Sequence, residues 1–285
     1  MMNKRDERYG DILERNSRLL LNTINYLMEK NVIDARDFLR YCCDLDNDAC
    51  TKEISRNERE ARSENNELHP GGVKSTLTMA RMVKLDEKKF VLDTGTGHGG
   101  AARVLAENFG CKIIGIDRNF IRLCDAVFRT KMLKLDHLLS YQYENAYRMS
   151  FPDSTFDVVF RQYSVYGDEG DERDFLDECH RVLKNNGMIA FQGNFKTISF
   201  ARKKNPNMSD YTFAQYKKLL AEKGFQITEY ESEESTRELL DSLSEAAGDK
   251  KKTTPNTNTS NQYKTLYNLV KNKKVTCCKL AALRK

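Results

Sequence analysis

The sequence predicts a doubly wound α/β fold: a seven-stranded sheet with helices on both faces and a helical cap. Three observations predict it. From residue 90 onward, short apolar runs alternate with amphipathic stretches, the signature of βαβ units and a parallel sheet. The stretch VLDTGTGHGG, residues 91–100, is an apolar run that ends in Asp93 and passes into a glycine-rich loop. A second apolar run, IIGID at 113–117, ends in another acid, Asp117. A strand, a glycine turn, a helix and a second strand with a carboxylate at its tip form a unit suited to a nucleoside.

The elements follow in order. Residues 9–30 put Ile12, Leu13, Leu19, Leu20, Ile24, Leu27 and Met28 near one helical face. DARDFLRYCCDL continues as a second helix, and residues 46–67 are polar and charge-rich. Residues 1–66 therefore read as an N-terminal helical cap, and 67–285 as the main domain. LHPGGVKSTLTMARMV is a turn leading into an amphipathic helix. Strands read at FVLDTG, CKIIGID, LSYQYEN, FDVVFRQ, GMIAFQGN, FQITEYESE and VTCCKLAALRK. Helices read at AARVLAENF, NFIRLCDAVFRTKMLKL, ERDFLDECHRVLKN, YTFAQYKKLLAEKG, STRELLDSLSEAA and YKTLYNLVKNKK. Insertions at about 196–212 and 232–272 would extend the cap.

Composition narrows the class. Of 285 residues, 39% are hydrophobic and 31% charged, as in globular proteins with well-solvated faces. No apolar run approaches the roughly 20 residues of a membrane helix. The charged start, MMNKRDERYGDILERN, lacks the apolar core of a signal peptide. A cytoplasmic protein without a membrane partner is expected. The eight cysteines contain no C-x-x-C pair, so reduced core thiols and no metal are expected. A net charge of +5 is mild, and the lysines at 203–204, 250–252 and 271–274 read as solvated loops and helix ends. Nucleic acid is disfavoured as a partner, and a homodimer is left open.

The glycine loop fits two ligands. Gly95-x-Gly97-x-x-Gly100 matches the dinucleotide fingerprint. Asp93-x-Gly95-x-Gly97-x-Gly99 matches the first motif of class I S-adenosylmethionine (SAM) methyltransferases. The acid at Asp93 favours SAM, and so does the short stretch after the fifth strand, which leaves no separate hydride-acceptor domain. Downstream segments agree. YENAYRMSFPDSTFDVVFRQYSVYGDE resembles the adenine loop and fourth strand of that Rossmann-like family, and DECHRVLKNNGMIAFQG resembles its fifth-strand motif. The GGAAR-x-L run and Gln162 are most similar to sarcosine/dimethylglycine-type N-methyltransferases and to their phosphoethanolamine and tocopherol relatives. The resemblance covers about 67–200 well and 210–285 loosely, and does not reach 1–66. The chain departs from the family at Asn145, where an acid is common, at Tyr166-Gly167 in place of leucine-histidine, and at Asn185-Asn186-Gly187 in the fifth-strand turn.

The resemblance implies a cofactor site. Asp93, Gly95, Thr96, Gly97 and Gly99 would hold the amino-acid end of SAM, and Asp117 the ribose hydroxyls. Arg118 would cover the adenine face, while Asn145 and Ala146 would read its edge. Arg161 and Gln162 stand at the tip of the fourth strand, where ligands sit in open α/β sheets. Tyr163 and Tyr166 follow as an aromatic wall for an amine or a sulfonium. His69, in the turn before the first strand, is a candidate general base or substrate ligand. His98 shapes the loop, and His137 and His180 read as helix residues.

The expected function is methyl transfer from SAM to a small molecule, an amine first, by in-line displacement. Two other classes stay open: a catalytically inactive methyltransferase-like scaffold, and an NAD-dependent oxidoreductase. The fourth strand carries no Asn-Pro-Pro-Tyr, Asp-Pro-Pro-Tyr or Pro-Cys, which disfavours methylation of nucleic-acid bases.

Overall fold

The computed structural model describes residues 19, 21–24, 26, 69, 71–163, 171–197, 211–248 and 266–285. Helix α1 (Gly72–Met82) precedes β1 (Phe90–Thr94), α2 (Gly100–Phe109), β2 (Lys112–Asp117), α3 (Phe120–Met132) and β3 (Leu139–Tyr143). Then come β4 (Phe156–Gln162), α4 (Glu172–Val182), β5 (Leu183–Lys196), α5 (Phe213–Glu222), β6 (Phe225–Glu231), α6 (Glu233–Gly248) and β7 (Val275–Arg284). Residues 266–271 are also helical.

The strands form one seven-stranded sheet in the order β3-β2-β1-β4-β5-β7-β6. Strands β3 to β5 pair in parallel, and β7 runs antiparallel between β5 and β6. The parallel strands are buried on both sides, so they read as apolar runs rather than alternating ones. In β1, Val91 joins one buried cluster with Met79, Ala102 and Leu105, while Leu92 joins another with Phe156, Phe175 and Tyr216. Those clusters are the two helix–sheet layers of a doubly wound fold.

Chain order reverses beside β1: β2 lies on one side and β4 on the other. Such a switch point opens a crevice at the carboxyl ends of the strands. Asp93 and Phe160 are register partners there. Local chemistry sharpens the helix starts around it. Asn119 caps α3, and Asp171 and Thr212 form capping boxes on α4 and α5. Helix α2 has a glycine at its N-cap, Gly99, with no side-chain cap. Its first N–H groups are left for something other than its own sequence to satisfy.

Three elements differ from expectation. Leu183, Lys184 and Asn185, expected to continue the helix over ERDFLDECHRVLKN, belong to β5, where Leu183 pairs with Phe156. Helix α3 ends at Met132, because Lys134 takes a left-handed conformation with φ 59° and Leu135 N–H turns back to Thr130 O. His137 therefore stands in a turn and not in a helix. The 232–272 insertion is not only a cap: Leu239 and Leu243 of α6 pack with Leu266, Leu269 and Val270 against Val275 and Cys277 of β7. Most of the expected 1–66 cap, and 198–210 of the other insertion, lie outside the described residues. Leu21 and Ile24, which are described, are buried in the cluster that contains α1 and α2.

Candidate active site

The crevice at the switch point is a small open cavity of about 120 Å³. One wall is the strand–loop–helix unit: Asp93, Gly95, Thr96, Gly97, His98, Gly100 and Ala101. The other is His69, Arg122, Gln162 and Tyr163.

The loop is built around two carboxylates. Thr96 Oγ1 donates to Asp93 Oδ2 at 2.6 Å. Burial pushes the Asp93 carboxyl up from 3.8 to about 7; the Thr96 hydrogen bond opposes this, and the charge of Asp117 adds to it. Gly97 N–H donates to Asp117 Oδ2 at 2.8 Å, and Asn119 N–H to Oδ1 at 2.8 Å. These bonds lock the Asp117 carboxylate beside the loop and still leave acceptor capacity on each oxygen. Gly97 has φ 55°, and a Cβ placed on it would meet nothing within 4 Å. Its bare backbone thus borders open space, as a ligand cradle requires. Gly115 is the reverse case: a Cβ there would fall 2.8 Å from Thr96 Oγ1.

His98 is fixed, as its loop-shaping role implies. Its Nδ1 lies 2.7 Å from Asp125 Oδ2, which also accepts from Arg129 Nε at 2.8 Å. Burial alone would raise the Asp125 carboxyl, but the His98 and Arg129 bonds outweigh it and hold it below the usual value.

On the opposite wall the expected His69, Gln162 and Tyr163 are joined by a buried polar line whose other members, Ser75, Thr76 and Gln192, sequence reasoning missed. His69 Nε2 lies 3.2 Å from Thr76 Oγ1, and Thr76 donates to Gln162 Oε1 at 3.0 Å. Gln162 Nε2 donates to Gln192 Oε1 at 2.9 Å, which also accepts from Ser75 Oγ at 2.8 Å. Tyr163 has φ 45°, which turns its ring back onto His69, with centroids 6.4 Å apart and planes 10° apart. Its hydroxyl lies 2.7 Å from Cys277 Sγ. Deeper still, Lys279 Nζ donates to Glu238 Oε2 at 2.6 Å and to Glu231 Oε1 at 3.3 Å. A signal for these residues exists in the sequence. Ser75 and Thr76 lie on the buried face of α1 with Met79, Ala80 and Met82, and Gln192 and Lys279 interrupt apolar strands.

Other expected residues fall elsewhere. Arg161 is not on the cavity wall, because consecutive strand residues face opposite sides. Its guanidinium is buried under α4, 3.0 Å from Glu172 Oε1 and 4.1 Å from the Phe175 ring centroid. Arg161 thus belongs to the scaffold. Asn145 Oδ1 accepts from Tyr147 N–H at 2.9 Å, which closes a local turn. Asn145, Ala146, Asp117 and the exposed Arg118 lie near the tips of β2 and β3, outside the cavity lining; Glu144 N–H to Asp117 O, at 3.2 Å, ties the two tips together. Tyr166 lies outside the described residues.

Residues 92–191 match the family model described as a methyltransferase domain. The chain carries a methyltransferase domain. That match decides between the two templates of the glycine loop. Over 113 residues the chain is 32% identical to glycine/sarcosine/dimethylglycine N-methyltransferase of Actinopolyspora halophila, covering 40% of this chain and 20% of that protein. Over 121 residues it is 31% identical to sterol 24-C-methyltransferase of Eremothecium gossypii, covering 39% and 30%. The matched part thus spans less than a third of either curated relative. Among solved structures, phosphoethanolamine N-methyltransferase 2 of Haemonchus contortus, in complex with phosphomonomethylethanolamine and S-adenosylhomocysteine, superposes with a TM-score of 0.66 at 22% identity. It covers 77% of this chain and 54% of its own. The sheet order and the flanking helices of the methyltransferase domain are accordingly those of the class I, Rossmann-like fold.

Among the described residues, no helix is long and apolar enough to cross a membrane, and no group of His, Cys, Asp and Glu could hold a metal ion.

Proposed function

We propose that the protein transfers a methyl group from SAM to a small-molecule acceptor, an amine in the first instance. One observation carries this proposal: the Asp93–Thr96–Gly97 cradle and the His69–Gln162–Tyr163 wall line the same cavity. The cradle fits the cofactor chemically. Asp93 is a buried carboxylate suited to an ammonium, and the uncapped start of α2 suits a carboxylate. Asp117, held by two backbone N–H groups, would take vicinal ribose hydroxyls. Ala146 N–H and the second lone pair of Asn145 Oδ1 would read the adenine edge, with Arg118 over its face.

When bound, SAM supplies an electrophilic methyl on a sulfonium. The chain's own residues align the acceptor, exclude water and remove its proton. His69 is the base on the acceptor side. Tyr163 offers its ring to the cationic nitrogen that forms as an amine is methylated. The names of the relatives include amine and carbon acceptors, so the choice of an amine rests on this ring and on His69. Gln162 and Thr76 belong to the wall, and Tyr166 remains the second candidate aromatic. The protein is proposed to act in the cytoplasm, where SAM is available; a homodimer is an open alternative to a monomer.

The test is a SAM-dependent screen of amines, thiols and phenols, read by mass shift. Methylation of at least one amine is expected, with kcat in His69→Gln reduced by roughly two orders of magnitude. SAM binding without turnover on any acceptor would favour the scaffold alternative. Binding of NADH in place of SAM would sink both.

A further inference from the structure

We infer that Arg103 is a positioning residue for the cofactor: by binding the His98 carbonyl from behind, it shapes the start of α2 to receive the carboxylate at the amino-acid end of SAM. This deepens the proposed SAM site and rests on it. Arg103 comes from the GGAAR-x-L run, and the cradle described above gives it no task. It stands in the first turn of α2, is 1% exposed and lies outside the cavity lining. Its Nη1 donates to His98 O at 2.6 Å, and its guanidinium also donates to the Tyr141 hydroxyl. A guanidinium has donors only, so neither bond can run the other way.

Gly99 takes φ 74° at the N-cap and gives α2 no side-chain cap. The first helical residues, Gly100 and Ala101, border the cavity. An anion there is favoured by helix N–H groups and by the helix dipole, and opposed by any carbonyl oxygen turned the same way. The carbonyl that precedes the cap is that of His98, and its bond to a buried guanidinium holds it toward the protein interior. The turn packs closely on this brace. A Cβ on Gly99 would collide with the Tyr141 hydroxyl and come within 3.0 Å of Arg103 Nη1. The Tyr141 hydroxyl is in turn 2.9 Å from Thr130 Oγ1, and His98 Nδ1 is 2.7 Å from Asp125 Oδ2. Charge points the same way. Burial, with Arg129 adding to it, disfavours the Arg103 cation more than Tyr141 and Asp125 support it. The Asp125 carboxylate is also shared, since it accepts from Arg129 Nε at 2.8 Å. An anionic group at the start of α2 would supply further counter-charge. For packing alone, an apolar side chain of similar length would avoid the cost of burying a cation.

The test is calorimetric binding of SAM and of decarboxylated SAM, two ligands that differ by one carboxylate, to the full-length protein. In Arg103→Met, which keeps the packing, the SAM Kd should rise about tenfold, while that of decarboxylated SAM stays within about twofold. Arg103→Lys keeps a donor for His98 O and should recover most of the loss. Tyr141→Phe frees the guanidinium but leaves the ring, and should show the same selectivity at about threefold. A side chain that only packs would change both ligands alike. Equal weakening of the two, or a SAM Kd unchanged in Arg103→Met, therefore overturns the proposal. If Arg103→Met does not fold, the same comparison in Tyr141→Phe decides. A wild type that binds neither ligand would instead overturn the SAM reading beneath it, a failure visible before any substitution is made.

Discussion

Asp93 is 3% exposed, and burial lifts its carboxyl to about 7 even though Thr96 donates to it at 2.6 Å. The unfolded chain would release that proton near 3.8. Between these values the folded state binds more protons than the unfolded state, so stability falls as pH rises through this window. The loss is complete above about pH 7. Asp93→Asn keeps an oxygen for Thr96 and removes the charge. In the ligand-free protein it should stabilise by roughly 1–4 kcal/mol at pH 8, less at pH 6.5 and least at pH 5. Urea titrations at the three pH values measure this, and a gain that does not grow with pH contradicts it. SAM affinity should fall in the same variant, because the ligand's ammonium loses its counter-charge. Residue by residue, the cradle was legible in the sequence because glycine spacing and strand-tip acids are local signals. Arg161 was not, because its burial against Glu172 and Phe175 depends on which face of β4 meets α4. The relay from Thr76 to Gln192 was not either, since its members come from α1, β4 and β5 and meet only once the sheet is assembled.

At the scale of elements, all seven strands and the helices between them were readable, because strands buried on both faces are apolar runs and helix starts carry capping residues. Ends were less legible: the stop of α3 hangs on the left-handed Lys134, a residue with no strong turn preference. The N-terminal segment was read as a cap over the substrate. Leu21 is 0% exposed and Ile24 4%, in one cluster with Met79, Ala80 and Leu105, while Leu19 and Tyr26 on the same stretch are 67% and 57% exposed. Part of this segment is therefore core, and through α1 it supports the helix that carries Thr76. Leu21→Ala should cost about 2–5 kcal/mol, as for other fully buried leucines. Chemical denaturation checks it. A loss under about 0.5 kcal/mol, the range of surface substitutions, would mean that the segment only rests on the domain.

Across the whole molecule, topology is what joins two chemistries in one crevice. The reversal between β2 and β4 on either side of β1 brings Asp93 and Gly97 within one cavity of Gln162 and Tyr163, some seventy residues later in the chain. Helix α1 adds the third side, since the turn from His69 to Gly72 places the imidazole over the same opening. The fold thus ties ligand binding to its own stability. The ligand-free domain carries a buried carboxylate whose ionisation burial disfavours, and in the proposed cofactor site a cationic ligand would relieve that strain. SAM at about a hundred times its Kd should stabilise the native state by about 2.7 kcal/mol, or about 5–10 °C in Tm for a chain of this size. Because Asp93 must be ionised to meet an ammonium, the shift at fixed SAM concentration should be larger at pH 8 than at pH 6. Asp117→Ala should shrink it at both pH values by weakening the ribose contact, whereas Asp93→Asn should abolish its pH dependence. Thermal melts of the three proteins at the two pH values separate these effects. A wild-type shift that is absent, or equally large at pH 6 and pH 8, would mean that Asp93 does not receive the cationic end of the ligand.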